Sequence, residues 1–251
     1  MDSKLCFITA HELVKLLQSK QVSAKEVMQA HLSHIDRINP KVNAIVTLVG
    51  KQALDQAEAA DKMFCSGHDV GPLHGIPIGL KDIFCTAGIK TTACSRLYAD
   101  YIPQDDAASV TGLKHAGALI MGKLVTTAYA ASDPSPTINP WNHALTPGGS
   151  SSGSAVAVAT QMCPAALGSQ TVGSTLRPAA YNGIVGLKPT FGRISLRGVI
   201  PLSYSLDTVG ILTRTVGDAA LLLNAMAGHD TDDLVSAFQP VVDYYPPSKR
   251  S

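Results

Sequence analysis

The chain has 251 residues, which is enough to bury a sizeable core in one large domain or two small ones. Hydrophobic residues make up 45% of it and charged residues 16%, a balance that excludes an intrinsically disordered chain. The formal net charge is +1, so the charge gives no indication of direct binding to nucleic acid or to an anionic membrane surface.

The five cysteines are scattered, odd in number and contain no C-x-x-C pair. This usage is typical of a reducing compartment with free thiols. The N-terminus leads into a helical pattern instead of the apolar core of a signal peptide, and no apolar run reaches membrane-spanning length. We therefore expect a soluble cytoplasmic protein without a membrane segment.

The first 70 residues are predicted to form a helical region that packs on the rest of the protein. Thr9 to Glu12 and Ser23 to Glu26 both fit the capping box, in which a hydroxyl is followed three residues later by Glu, and each opens a helical pattern. Asn39-Pro40 predicts the end of the second helix. A short extended segment at 42–49 and a third helix at 53–63 follow.

From residue 71 onwards, short apolar strands alternate with helices. Segment 71–82 is punctuated by Gly and Pro and contains a strand that ends on Lys81. A helix at 107–115 and a buried strand at 118–123 come next. Segment 132–147 carries four prolines and the only tryptophan, and irregular loops of this length are usually functional.

The Gly/Ser stretch, residues 148–154, runs directly into an alanine-rich helical segment at 155–159. A long Gly/Ser run is usually a flexible linker. Here the context favours a structured loop that presents hydroxyls at a helix N-terminus, where free backbone N–H groups favour negative charge. The alternative is a surface loop with a helix cap.

The remainder of the chain continues the alternation of strands and helices. The predicted elements are a strand at 165–167, a small-residue loop at 168–174, a strand at 184–190, a turn at 207–210, a strand at 211–213, a helix at 218–227 and a polar tail at 231–251. This order predicts a single domain of α/β layer architecture.

Three polar groups end strands or loops in apolar surroundings: Lys81, the serines of the Gly/Ser stretch, and Ser174. A lysine at the end of an apolar strand is more often a surface residue whose charged end reaches solvent. If Lys81 is buried instead, desolvation lowers its pKa and allows it to act as a general base, which a serine nucleophile requires. The backbone N–H groups of 172–174 could then stabilise an oxyanion.

A second hydrolase pattern is also present. The stretch Gly149 to Gly153 fits G-x-S-x-G with Ser151 as nucleophile, and Asp207 and His229 follow in the order that an α/β-hydrolase requires. The segment before it is a proline-rich loop, whereas that motif needs a strand. His31 and His34 lie three apart on a helix without a persuasive ligand set, so neither a metal nor another cofactor is expected.

Four long segments resemble the amidase signature family of serine hydrolases. They read GPLHGIPIGLKD at 71–82, NPWNHALTPGGSSSGSAVAVA at 139–159, PAALGSQTVGSTLRPAAYNGIVGLKPTFGRIS at 164–195 and SLDTVGILTRTVGDAALLL at 205–223. The resemblance implies a mixed β-sheet flanked by helices on both faces, with the signature core at 71–230, the helical region at 1–70 and the polar tail at 231–251.

The family's catalytic set maps onto three residues of this chain. The resemblance implies that Lys81 is the base, that Ser150 is the bridging serine with a cis peptide bond, and that Ser174 is the nucleophile. It also implies an oxyanion hole built from backbone N–H groups of Thr171, Val172, Gly173 and Ser174. Thr127 and Arg177 are the expected substrate contacts.

The implied activity is hydrolysis of an amide or urea-type C–N bond in a small molecule through an acyl-enzyme. Two alternatives stay open: a glutaminase-type component of an amidotransferase that works with partners, and an inactive truncated amidase-like fragment. Many members have Asp-x-Gly-Gly-Ser where this chain has Gln170 to Ser174, and members usually continue well past the helix at 218–227. A homodimer is the expected assembly.

Overall fold

A computed structural model describes residues 3–66 and 70–245. The predictions for the first two residues, for 67–69 and for 246–251 lie outside the described residues. The helices are α1 (Ala10–Gln18), α2 (Ala24–Val42), α3 (Gly50–Cys65), α4 (Ala108–His115), α5 (Ser152–Ala159), α6 (Leu176–Asn182) and α7 (Val216–Met226). The strands are β1 (Ile45–Leu48), β2 (Pro77–Lys81), β3 (Leu119–Leu124), β4 (Ala165–Gln170), β5 (Val185–Leu187) and β6 (Thr208–Thr213). Short 3-10 helices cover Ser3–Phe7, Arg96–Tyr98 and Ala128–Ala130.

The predicted capping boxes begin α1 and α2. The Ser23 hydroxyl accepts from the Glu26 backbone N–H at 3.1 Å, and the Glu26 carboxylate accepts from the Ser23 N–H at 2.9 Å. The predicted end of α2 at Pro40 is wrong, because the helix continues to Val42. Proline lacks only its own N–H, so in the last turn it removes a single helical bond, and the helix ends where Asn43 adopts the left-handed conformation.

The six strands form one mixed sheet in the order β1-β3-β2-β4-β6-β5. The central strands β3, β2 and β4 are parallel, whereas β1, β6 and β5 pair antiparallel to their neighbours. Every residue of β2, β3, β4 and β6 is buried, which accounts for their continuous apolar runs. The predicted α/β class with a mixed sheet flanked by helices is confirmed.

The sheet topology brings the ends of two strands together. Parallel strands β2 and β4 are neighbours, with Leu80 opposite Leu167, so their C-terminal residues lie at the same edge of the sheet. Lys81 ends β2, and Ser169 and Gln170 end β4. Helix α5 begins at Ser152 in the Gly/Ser stretch and contacts β2, β3, β4 and β6. A polar site therefore forms at this edge above an apolar core.

Two differences from the sequence prediction lie close to this edge. Strand β6 begins at Thr208, not at residue 211, because the predicted turn at 207–210 already pairs with β4. The structure also contains α6, in a segment for which the sequence analysis predicts no element. Pro178 is the third residue of α6, where the missing N–H breaks no helical bond.

The described part of the C-terminal tail packs against the segment around Arg193. The Arg193 guanidinium donates to the carbonyls of Gln239 and Pro240 at 3.2 and 2.8 Å and to the Tyr244 hydroxyl at 2.5 Å. The division of the chain near residues 70 and 230 stays a prediction. Among the described residues, no helix has both the length and the apolar character needed to cross a membrane.

Candidate active site

Lys81 ends β2 inside the protein. Its side chain is fully buried, so the alternative of a surface lysine does not hold. The ammonium nitrogen donates to Ser150 Oγ at 2.7 Å and to Ser169 Oγ at 2.8 Å. Burial lowers the pKa of Lys81 from 10.5 to about 7, and the nearby Asp207 carboxylate opposes that shift. A large fraction of Lys81 is therefore neutral at neutral pH and able to accept a proton.

The Gly/Ser stretch is an ordered loop that presents one hydroxyl to Lys81. The peptide bond between Gly149 and Ser150 is cis. The Ser150 carbonyl accepts from the Thr127 N–H at 3.2 Å, and the Gly149 carbonyl accepts from the Arg177 guanidinium at 2.9 and 3.2 Å. These contacts fix the loop on both sides of Ser150, whose side chain is buried.

The other hydroxyls of the stretch have structural partners. Ser151 Oγ and Ser154 Oγ donate to the carbonyls of Ser169 and Leu167 in β4, at 3.2 and 2.8 Å. Ser152 Oγ lies 2.5 Å from Ser135 Oγ. These bonds anchor the start of α5 to the sheet and leave Ser150 as the serine of the stretch that contacts Lys81.

The α/β-hydrolase alternative is not assembled. Ser151 is fully buried and bonded to the β4 backbone, and it has no histidine partner among the described residues. The Asp207 carboxylate accepts from Thr171 and from two backbone N–H groups, whereas His229 packs edge-on against the ring of Phe238. A nucleophile, a base and an orienting acid are therefore not brought together at Ser151.

Ser174 lies in the loop between β4 and α6, next to the Gly/Ser stretch. Its carbonyl accepts from the Ser151 N–H at 3.1 Å, which joins the two loops, and its side chain is largely buried. No direct hydrogen bond joins the hydroxyls of Ser150 and Ser174, both of which lie in the described part of the chain. Catalytic hydrogen bonds are often long in ligand-free proteins and tighten when substrate binds.

The four backbone N–H groups of residues 171–174 donate to no other group within the described residues. The loop is shaped by Gln170, whose Oε1 accepts from the N–H groups of Thr175 and Leu176 at 3.1 and 2.9 Å. The Gln170 amide nitrogen donates to the Val172 carbonyl at 3.2 Å. The loop thus carries unpaired donors of the kind that stabilise an oxyanion.

A cavity of about 260 Å³ opens beside the Gly/Ser stretch. It is lined by Thr127, 131–135, Thr146, Gly148, Gly149, Arg177 and Tyr181. Thr127 Oγ1 donates to the Ala131 carbonyl at 2.6 Å, so toward a ligand this hydroxyl can only accept. Arg177 uses two N–H groups on the Gly149 carbonyl, and its charge has no carboxylate partner within residues 3–66 and 70–245.

Sequence reasoning misses three contacts of this site: Ser169, Gln170 and Asp207. The sequence pattern places Ser169 and Gln170 in a small-residue loop, and it gives Asp207 a role only in the α/β-hydrolase alternative. The sequence does contain a signal for Ser169 and Gln170. They are polar residues that directly continue an apolar strand, and buried polar side chains usually have hydrogen-bond partners.

A second buried lysine, Lys123 on β3, is also missed. It donates to the Phe84 carbonyl and to the hydroxyls of Thr86 and Thr91, the latter two at 3.2 and 2.8 Å. Burial lowers its pKa to about 8. Lys123 resembles Lys81 in lying near the end of an apolar strand. Its hydrogen-bond partners, however, all belong to the loop that follows β2, so Lys123 stabilises that loop.

No group of three or more His, Cys, Asp or Glu side chains that could hold a metal occurs in the part of the chain that the structure describes. His34 Nε2 is 2.8 Å from the Thr160 carbonyl, and His31 is fully buried. Both histidines therefore belong to the packing of α2.

A family model described as Amidase matches residues 26–251. The A subunit of glutamyl-tRNA(Gln) amidotransferase from Geobacter metallireducens is 48% identical over 243 residues, which cover 94% of this chain and 50% of that relative. The chain thus spans about half the length of the curated relatives it matches.

Solved structures match closely as well. A chain from a vestigial protein complex related to the origins of an s-triazine catabolic enzyme has a TM-score of 0.92 at 34% identity, covering 95% of this chain and 54% of that one. The native peptide amidase of Stenotrophomonas maltophilia has a TM-score of 0.88 at 38% identity, covering 94% and 51%.

Proposed function

The chain belongs to the amidase family, and we propose that it hydrolyses the C–N bond of a small-molecule amide or urea-type substrate. The observation that carries the proposal is a buried lysine with a pKa of about 7 in direct contact with Ser150. A neutral lysine is a base, and a serine nucleophile needs one at neutral pH.

In the proposed mechanism, Ser174 Oγ attacks the carbonyl carbon while its proton passes to Ser150 Oγ and the Ser150 proton passes to Lys81 Nζ. The backbone N–H groups of 171–174 donate to the oxygen of the tetrahedral intermediate. When the C–N bond breaks, the proton returns from Lys81 through Ser150 to the leaving nitrogen. Water then attacks the acyl-enzyme by the same relay, which releases the acid and restores Ser174.

The cavity beside the Gly/Ser stretch is the proposed substrate pocket. Arg177 brings a positive charge without a carboxylate partner among the described residues and can donate to a substrate oxygen, whereas Thr127 can accept a hydrogen bond from a substrate N–H. A cytoplasmic location, the absence of direct contact with nucleic acid and a homodimeric assembly stay predictions.

A fluorophosphonate probe tests the nucleophile, because it forms a covalent bond with an activated serine. We expect labelling of Ser174, identified by peptide mass spectrometry, and its loss in both Ser174→Ala and Lys81→Met. Ser205→Ala is the matched control, since Ser205 is exposed and lies outside the site. Labelling of Ser174→Ala at the parent rate would contradict the assignment, and a folded parent chain without labelling would favour the inactive fragment.

The 48% identity to the A subunit of an amidotransferase favours a second candidate, an ammonia-releasing component that acts with partner proteins. Glutamine hydrolysis distinguishes the two. An amidotransferase component is expected to release ammonia from glutamine and to do so faster with its partners present, whereas a stand-alone amidase is expected to cleave other small amides without partners.

A further inference from the structure

Strand β6 and Asp207, the residue just before it, contact the two ends of the loop 171–174. Strands β4 and β6 are antiparallel with Gln170 opposite Thr208, so Thr171 lies opposite Asp207, and its hydroxyl donates to Asp207 Oδ1. At the other end of the loop, Gly210 of β6 lies so close to Thr175 that a Cβ at Gly210 would collide with the threonine side chain. Asp207 and Gly210 therefore bracket the loop.

The tip of this loop packs against very little. Val172 is 86% exposed, and the atom nearest to a Cβ built on Gly173 is the Arg177 Cβ, 3.8 Å away. A loop whose tip has few contacts is positioned by the bonds at its two ends. The direction of its N–H groups consequently depends on the bond between Thr171 and Asp207, together with the contacts that Gln170 and the Ser174 carbonyl make.

Asp207 is itself rigidly held. Its side chain is 6% exposed, and Oδ2 accepts from the N–H groups of Leu202 and Ser203 at 2.8 and 2.9 Å. The Asp207 N–H in turn donates to the Ser203 carbonyl at 3.0 Å. A carboxylate with donors on both oxygens keeps one orientation, so it provides a fixed anchor for Thr171.

We infer that Asp207 is a positioning residue that fixes the loop 171–174, and with it the oxyanion donors, relative to Ser174. The inference rests on the proposed function, since it assigns a role within the same site. This role explains why the buried Asp207 carboxylate, among the described residues, bonds only to Thr171 of the loop and to the backbone turn at Leu202 and Ser203.

The Asp207 charge acts on Lys81 as well, which provides an independent readout. The titratable groups that act on the pKa of Lys81 are Asp207 and Cys94, and two further titratable residues are adjacent to it, Asp82 directly after β2 and Lys123 in β3. Asp207 is the leading charge that raises the pKa of Lys81 against the effect of burial. Burial raises the pKa of Cys94 to about 11, so its thiol is neutral near pH 7. Burial also raises the pKa of Asp82, and it lowers that of Lys123 to about 8.

Two shape-conserving substitutions separate the bond from the charge. Thr171→Val removes the hydroxyl and leaves the carboxylate, whereas Asp207→Asn removes the charge and can keep hydrogen bonds to Thr171 and to the turn. Asp232→Asn is the matched control, because Asp232 is an exposed carboxylate. Three quantities are measured: the rate of fluorophosphonate labelling, the heteronuclear NOE of the Val172 and Gly173 amides, and the ¹³Cε titration midpoint of Lys81, assigned by its absence in Lys81→Met.

We expect Thr171→Val to slow labelling about tenfold or more and to lower the NOE of both amides, because a misplaced loop loses the alignment of its donors. Its Lys81 midpoint stays unchanged. Asp207→Asn moves the midpoint to lower pH, and Asp232→Asn changes none of the three quantities. Parent-like labelling and NOE values in Thr171→Val would overturn the inference. If the parent chain itself is not labelled, the proposed function fails, while the NOE of the Val172 and Gly173 amides in Thr171→Val still decides whether the bond to Asp207 fixes the loop.

Discussion

Substitution of Lys81 by methionine is expected to change how the stability of the protein depends on pH. In the folded state the pKa of Lys81 is about 7, whereas the unfolded value is 10.5. The unfolded state therefore binds more protons between these values, and the free energy of unfolding rises with pH across this window. The stability is fully present above the unfolded pKa and is lost as pH falls toward the folded pKa.

The size of the effect follows from the two pKa values. At pH 7 the unfolded lysine is protonated and the folded lysine is half protonated, which costs about 4 kcal/mol, and at pH 9 the cost falls to about 2 kcal/mol. Lys81 thus contributes a rise of about 2 kcal/mol in the free energy of unfolding from pH 7 to pH 9. Lys81→Met is expected to lose this rise.

Urea denaturation at pH 7 and pH 9 measures the difference for each variant. Each variant is compared with itself at the two pH values, so any loss of stability that does not depend on pH, such as lost packing of the side chain, cancels. Lys123→Met is the matched control, because a folded pKa of about 8 lies closer to the unfolded value and predicts a loss of only about 1 kcal/mol of the rise. If Lys81→Met folds cooperatively and keeps the whole rise, Lys81 does not have a depressed pKa, and its role as a base loses its basis.

Two further predictions concern stability. Burial lowers the pKa of His31 from 6.5 to about 3, so the free energy of unfolding is expected to fall by about 2 kcal/mol from pH 7 to pH 5. Urea denaturation of His31→Leu at the two pH values is expected to show a fall that is smaller by about 2 kcal/mol. The same fall in His31→Leu as in the parent would refute the assignment. Gly153 lies against the backbone of Ala44 and Val125, so Gly153→Ala is expected to lower the free energy of unfolding by about 1–3 kcal/mol, measured by the same method. Gly228→Ala is its control, since a Cβ at Gly228 meets only the Val241 side chain at 3.9 Å and the φ of Gly228 is not positive.

Local patterns of the sequence account for much of the fold. Capping boxes predict the starts of α1 and α2, and continuous apolar runs mark β2, β3 and part of β4 as buried strands. Both signals are local, because a cap involves residues three apart and a buried strand is apolar on both faces. The motifs around Lys81, Ser150 and Ser174 also single out these residues, although no local pattern contains the distances between them.

How these residues meet, and what holds them, depends on the tertiary structure. Ser169 and Asp207 are ordinary polar residues in the sequence, and they acquire roles because β4 lies between β2 and β6, which places Lys81 on one side and Asp207 on the other. Burial likewise separates Lys81 from a surface lysine with the same flanking residues, since desolvation depends on the surrounding elements. Strand order and burial are properties of contacts between distant segments. For that reason the motifs, through the family they resemble, single out candidate residues for the site, whereas the partners of these residues and the lowered pKa of Lys81 follow from the fold.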